Sequence, residues 1–260
     1  MSIESSDSSD RSSVNTSDSE LPVMINDHLY ADITKNQPDL ITLTSYILGI
    51  VLGIFIGNLP NLRFKSINFY IISLCAFHFL EYFITARYNP GKVHADSFLL
   101  FGNGKEYIGA HTFALMECLI EYTIWPQSRT TKGWKGVVIT SGIVLTVLGQ
   151  LIRSLAMKTA GQSFSHILKR KKEEDHTLVT NGLYAYFRHP SYFGFFWWAL
   201  GLQMVLLNPL SFILFAGVLW RFFNQRINIE EKYLVQFFGD DYVKYKSNTK
   251  VWIPFIQWIT

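Results

Sequence analysis

The chain of 260 residues is 49% hydrophobic and 16% aromatic, and it carries a formal net charge of +3. This is more apolar surface than a soluble domain of that length can bury, so the composition excludes an ordinary soluble protein and favours a membrane protein. Acidic residues gather at the N-terminus and basic ones in later loops and the tail, a pattern that suits a membrane surface rather than nucleic acid.

The N-terminal segment, residues 1–25, is rich in serine and acidic side chains and has few apolar ones. Such a segment cannot repay the entropy of ordering, so we predict a disordered tail before a membrane domain over residues 26–260. Cys75 and Cys118 both fall in apolar runs and match no paired metal-ligand spacing. They predict buried thiols, with neither a disulfide framework nor a metal site.

Apolar runs long enough to cross a bilayer core of about 30 Å follow the tail. Two shorter runs near the C-terminus are separated only by Asn208-Pro209, which predicts a helical hairpin. We therefore expect an all-α, polytopic integral membrane protein with about six transmembrane helices. The predicted spans lie near residues 40–59, 67–85, 107–125, 137–157, 192–207 and 210–223.

The loop charges indicate the orientation of these spans. Six spans place both termini on one side of the membrane, and the basic run at residues 169–172 together with the basic tail indicates that this side is cytosolic. Arg129, Lys132 and Lys135 fall in a loop that this topology places on the far side, so the charge rule is not obeyed throughout.

Small and ionisable residues inside the spans indicate how the helices pack. Gly49, Gly53 and Gly57 recur on one face of the first span, which is consistent with a homodimer seam or with packing against another helix of the same chain. Ionisable groups inside a membrane are costly unless they pair or line a cavity. We therefore predict histidine–glutamate pairing between the second and third spans, through His78, Glu81, His111 and Glu117.

Polar residues are concentrated between His176 and Tyr245, directly beside the predicted helical hairpin. The run at residues 188–192 supplies hydrogen-bond donors, an aromatic ring and a proline-fixed turn where the chain re-enters the membrane, which fits a cofactor rim and a helix anchor at the headgroups equally well. Arg226 and Glu230 are four residues apart and therefore share one face of a helix. This spacing fits a surface ion pair and also fits two residues that line a cavity at the membrane boundary.

These motifs closely resemble the isoprenylcysteine carboxyl methyltransferase family, nearest to its fungal members. The resemblance is carried by residues 176–179, 184–194, 201–209, 226–231 and 253–256. It implies an enzyme that uses S-adenosylmethionine to methylate the C-terminal carboxylate of farnesylated or geranylgeranylated cysteine in processed CaaX proteins. It also implies a location in the endoplasmic reticulum membrane and a cytosolic cofactor pocket.

The resemblance further implies the roles of individual residues. Arg226 is expected to meet the substrate carboxylate as the catalytic and substrate-binding residue. Lys169 stands where some relatives carry a cofactor-contacting glutamine, so it receives no role. Within the cofactor-binding region, residues 165–245, the expected cofactor contacts are His176, Thr177, Leu178, Val179, Tyr184, His189, Pro190, Ser191, Tyr192 and Glu230.

Two alternative functions remain open. A phospholipid N-methyltransferase is distantly similar through the same C-terminal helices and Arg-His-Pro turn, but it needs no residue such as Arg226 to hold a carboxylate. A non-catalytic membrane scaffold would use the polar C-terminal region only as an interfacial anchor. Failure to bind S-adenosylmethionine would indicate the scaffold.

Overall fold

A computed structural model describes residues 23–25, 28–30, 37–60, 65–100, 102–124, 133–172 and 176–256. Two short strands, β1 (Val23–Ile25) and β2 (His28–Tyr30), pair antiparallel. Everything else that is regular in this part of the chain is helical. The α-helices are α1 (Pro38–Gly57), α2 (Lys65–Tyr88), α3 (Gly104–Ile124), α4 (Trp134–Ala160), α5 (Pro190–Leu206), α6 (Pro209–Phe238) and α7 (Asp240–Asn248), with short 3-10 turns at Pro90–Lys92, Ala95–Phe98, Gly161–Ser163 and Gly182–Ala185.

The predicted spans fall on the helices α1 to α6, so the all-α prediction is confirmed apart from the short strand pair, and the count of six spans stays a prediction. By length and composition α1, α2 and the stretch Trp134–Ser163 could each cross a membrane. The helix α5 has only 17 residues, and α6 has 30 because it continues beyond residue 223 as an amphipathic helix. Residues 1–22, the end of the third predicted span and the loop with Arg129 and Lys132 lie outside the described residues.

The junction between α5 and α6 is only two residues long and is fixed by specific contacts. Leu207 ends α5 in the left-handed conformation (φ 53°), and Pro209 begins α6 in the first turn, where its missing N–H costs nothing. The side-chain nitrogen of Asn208 donates to the carbonyl of Ala114 on α3 (2.7 Å). The junction is therefore held against α3.

The helix α5 is the centre of the structure, and four glycines bring α4 against its backbone. A Cβ added to Gly149 would stand 2.5 Å from the carbonyl oxygen of Gly194, and one added to Gly194 would stand 2.6 Å from that of Gly149. Gly142 and Gly201 repeat this relation further along, at 2.7 Å in both directions. Only glycine allows so close an approach between two helices.

The glycine row of α1 is different. A Cβ added to Gly49, Gly53 or Gly57 would meet nothing within 4 Å, and all three residues are exposed. Packing of this row against another helix of the described chain is therefore wrong, because those helices lie elsewhere. The homodimer seam stays a prediction.

The predicted histidine–glutamate pairing between α2 and α3 is also wrong. His78 Nδ1 lies 2.8 Å from the carbonyl oxygen of Phe98, and His111 Nδ1 lies 2.5 Å from the hydroxyl of Tyr70. Each histidine thus has a neutral partner, which avoids placing a charge in the apolar core.

The two glutamates find partners on other helices. Glu117 accepts hydrogen bonds from the backbone N–H groups of Leu210 (2.9 Å) and Ser211 (2.7 Å), so a carboxylate satisfies the start of α6. Glu81 pairs with Arg153 of α4, as described below. Both cysteines are buried, as predicted.

Candidate functional site

A cavity that is open to solvent lies where the loop before α5 meets α6 and α7. The ten residues predicted to contact a cofactor all line this one cavity. Their convergence shows that the motifs belong to a single site, while their individual roles stay predictions. These residues are His176, Thr177, Leu178, Val179, Tyr184, His189, Pro190, Ser191, Tyr192 and Glu230. We call this space the cofactor cavity.

One wall of the cofactor cavity is an irregular segment that begins at His176. Ser163 holds it in place, because its hydroxyl oxygen accepts from the N–H of Thr177 (3.1 Å) and lies 3.1 Å from the carbonyl of the same residue. Within the described residues, the backbone N–H groups of Leu178 and Val179 make no hydrogen bond. They can therefore bind the polar edge of a ligand.

The other wall is the start of α5. Pro190 occupies its first turn, His189 precedes it, and the imidazole of His189 stacks on the ring of Tyr192 (centroids 5.4 Å apart). The two interpretations of this motif are therefore compatible, because the same residues begin a helix and line a cavity.

Tyr192 connects the two residues that the sequence places on one face of α6. Its hydroxyl donates to Glu230 Oε2 (2.5 Å) and accepts from Arg226 Nε (2.7 Å). No direct ion pair between Arg226 and Glu230 is present, so the surface ion pair is wrong. Burial acts to lower the pKa of Arg226, but Tyr192 and Glu230 outweigh it and raise the pKa, so the guanidinium stays charged.

A second open cavity adjoins the first and is here called the arginine cavity. Tyr192 lines both cavities, whereas Arg226 lines only the second of the two. The Nη1 atom of Arg226 donates to no described residue and is available to a ligand. The apolar part of the wall is formed by Leu99, Phe195, Phe222 and Phe223.

A third, smaller space is lined by Lys169 as well as by His176, Arg226 and Glu230. Lys169 does not line the cofactor cavity itself. Lys169 shares this third space with two of the expected cofactor contacts, His176 and Glu230, and it keeps no assigned role.

Arg153 is a site residue that the sequence analysis missed. It lies in the arginine cavity, and its guanidinium forms a fork with Glu81 (Nε–Oε1 2.5 Å, Nη2–Oε2 2.8 Å). Its third nitrogen donates to the hydroxyl of Ser191 (2.9 Å). The available signal was a lone arginine inside an otherwise apolar helix, because such a charge in a membrane usually marks a pair or a pathway.

Glu231 supports the start of α5 from behind. Its carboxylate lies 2.9 Å from Arg188 Nε, 3.3 Å from His189 Nε2 and 2.7 Å from Lys246 Nζ. Burial alone would raise its pKa, but His189, Lys246 and Arg188 outweigh burial and lower the pKa to about 2. The carboxylate therefore ties α6 to α7 and to the motif before α5.

We expect Glu231→Gln to destabilise the folded protein by about 3 kcal/mol at neutral pH, from the drop in pKa from 4.5 to about 2. A carboxylate with a lowered pKa stabilises the fold above pH about 4.5, and this contribution is lost as the pH falls toward 2. Melting curves in detergent between pH 7 and about 3 should show the gap to wild type narrowing with acid. Glu106→Gln, at an exposed site, is the control, and a gap that stays constant would contradict the assignment.

The fold and site define a class: a helical membrane protein with two joined cavities, one polar and one lined by aromatic side chains and arginines. Residues 142–236 match the model of the isoprenylcysteine carboxyl methyltransferase family. The protein-S-isoprenylcysteine O-methyltransferase of Saccharomyces cerevisiae is 55% identical over 236 residues, which cover 88% of this chain and 97% of that protein. The human protein of the same name is 39% identical over 220 residues, covering 84% of this chain and 75% of that one.

A solved structure has the same fold as this chain. The structure of the eukaryotic intramembrane Ras methyltransferase of this family superimposes with a TM-score of 0.79 at 34% identity, covering 84% of this chain and 77% of that one. The chain belongs to the isoprenylcysteine carboxyl methyltransferase family.

Proposed function

We propose that this chain transfers a methyl group from S-adenosylmethionine to the C-terminal carboxylate of an S-prenylated cysteine, farnesylated or geranylgeranylated, as the last step of CaaX processing. One observation carries the proposal. The hydroxyl of Tyr192 joins the cofactor cavity, through Glu230, to the arginine cavity, through Arg226. A cofactor bound in the cofactor cavity and a carboxylate bound in the arginine cavity would therefore both lie beside Tyr192.

The residues of the cofactor cavity fit S-adenosylmethionine. The free N–H groups of Leu178 and Val179 suit the edge of the adenine ring, and Tyr184 and Phe238 supply aromatic surface. Glu230 brings a carboxylate, whose negative charge favours a cationic cofactor over the neutral product. When bound, S-adenosylmethionine supplies an electrophilic methyl group on a sulfonium.

The protein has little acid–base chemistry to perform in this reaction. A C-terminal carboxyl group with an ordinary pKa near 3.5 is already ionised at pH 7, so no general base is required. What the chain must supply is alignment of the carboxylate, which is worth roughly 7 to 11 kcal/mol at best. Arg226 can hold the carboxylate through Nη1 by a charge-assisted hydrogen bond while Tyr192 fixes Nε.

The arginine cavity also suits the prenyl chain. Phe195, Phe222 and Phe223 form an apolar wall, and Phe222 is half exposed on α6, where a lipid-linked substrate would enter from the bilayer. Methylation removes the charge beside the prenyl group, so the modified C-terminus partitions more readily into the membrane.

In the membrane we propose six spans, with α5 and α6 as a hairpin and both termini cytosolic. This topology places the cofactor cavity on the cytosolic side of the membrane, and we propose that this membrane is the endoplasmic reticulum. The exposed row of Gly49, Gly53 and Gly57 supports the proposed homodimer seam, because its open face lets a second α1 approach closely.

The test is methyl transfer by membranes that contain this chain, supplied with radiolabelled S-adenosylmethionine. A small S-farnesylcysteine analogue with a free carboxylate should acquire base-labile methyl, and the same analogue as a carboxamide should acquire none. If neither compound is labelled although the protein binds S-adenosylmethionine, the proposed substrate is wrong. If the protein does not bind S-adenosylmethionine, a scaffold is favoured.

A further inference from the structure

The loop between α4 and the cofactor cavity contains His166, which contacts Arg226 and also contacts Glu81, the partner of Arg153. The imidazole Nε2 of His166 lies 2.8 Å from Glu81 Oε2, the carboxylate that also holds Arg153. The backbone carbonyl of the same residue accepts from Arg226 Nη2 (2.7 Å). His166 thus contacts the Glu81–Arg153 pair through its side chain and Arg226, the proposed substrate-binding residue, through its backbone carbonyl.

This position cannot be set by regular secondary structure. The segment from Phe164 to Lys172 contains no helix or strand, so side-chain and backbone contacts must hold it. Asn89 anchors one end through the carbonyl of Phe164 (2.9 Å). The next side chain that reaches the helical core is His166, through Glu81.

Glu81 is a rigid anchor for that contact. It is fully buried, and two of the three hydrogen bonds to its carboxylate from described residues come from the planar guanidinium of Arg153. The guanidinium in turn lies over the rings of Phe77 (5.4 Å) and Phe195 (5.3 Å). The Glu81 carboxylate is therefore fixed in position, and its hydrogen bond to His166 holds the loop in place.

We propose that His166 is a positioning residue for the reaction: its imidazole, bound to Glu81, fixes the backbone carbonyl that orients Arg226 toward the substrate carboxylate. The inference rests on the proposed function. His166 lines the arginine cavity and not the cofactor cavity, so its effect should fall on the prenylated substrate and not on S-adenosylmethionine.

The test compares His166→Ala with His166→Gln, whose side-chain amide can still donate to Glu81. We expect the KM for an S-farnesylcysteine analogue to rise about tenfold in the alanine variant, the loss typical of one hydrogen bond to a charged group. The glutamine variant should recover most of this loss. The dissociation constant for S-adenosylmethionine should stay at the wild-type value in both.

Gln162→Ala is the matched control, because Gln162 is exposed in the same loop and its side chain lines neither cavity. An unchanged KM in His166→Ala, or an equal loss in the alanine and glutamine variants, would overturn the positioning role. Equal weakening of both substrates would show a merely structural role and would also overturn it. Inactive wild-type protein would instead contradict the proposed function, so the two failures are distinguishable.

Discussion

Arg226→Ala should lower kcat/KM for a prenylcysteine carboxylate by about 100-fold or more, because the substrate would lose its charged partner in a partly buried site. Arg226→Lys should recover only part of the rate. Lysine keeps the charge but cannot donate to Tyr192, to the carbonyl of His166 and to the substrate from one planar group.

The measurement is initial rates over a range of both substrates, with the affinity for S-adenosylmethionine determined separately. Arg221→Ala is the control, because Arg221 lies exposed on the same helix and lines neither cavity. The affinity for S-adenosylmethionine should remain near that of wild type in all three variants. A fully active Arg226→Ala protein would show that the carboxylate binds elsewhere.

Gly149→Ala should destabilise the protein by about 3 kcal/mol or more, because the added methyl group would stand 2.5 Å from one backbone atom and 2.6 Å from another. Backbone atoms cannot turn aside as a flexible side chain can, so α4 and α5 would have to separate. Since α5 begins with the motif that lines the cofactor cavity, activity should fall together with stability.

Gly217→Ala is the matched control on α6, because an added Cβ meets nothing within 4 Å there. It should be neutral or slightly stabilising, by about 0.4 to 1 kcal/mol, since alanine reduces the entropy of the unfolded chain. Thermal melting in detergent should place Gly149→Ala on the order of 10 °C below Gly217→Ala. Equal melting temperatures would contradict backbone contact between α4 and α5.

The fold could be predicted in outline because the apolar runs are long and the prolines mark helix starts. Pro190 and Pro209 place the beginnings of α5 and α6 within a residue or two of the predicted segments. The extent of α6 follows less readily from hydropathy, because its C-terminal part is amphipathic and carries the site residues. The strand pair β1–β2 was missed because three-residue strands leave no recognisable alternation.

The candidate site was predictable where function concentrates residues in sequence, and less so where contacts are distant. The family resemblance named all ten expected cofactor contacts, nine of them between residues 176 and 192 and the tenth at Glu230. Arg153 lies outside these motifs, and its partner Glu81 is on a different helix, so only the folded chain shows the pair. The glycine contacts were missed for a similar reason. Gly149 and Gly194 lie on different helices, and only the packing of α4 against α5 shows that they meet.

We propose that the joined cavities serve methyl transfer to a prenylcysteine carboxylate. The most direct measurement places purified protein in liposomes that contain phosphatidylethanolamine, and adds radiolabelled S-adenosylmethionine with an S-farnesylcysteine analogue, so that both acceptors compete in one reaction. Nearly all transferred methyl should be released by base, as expected for an ester of the analogue. Base-stable methyl on the phospholipid, with none on the analogue, would contradict it.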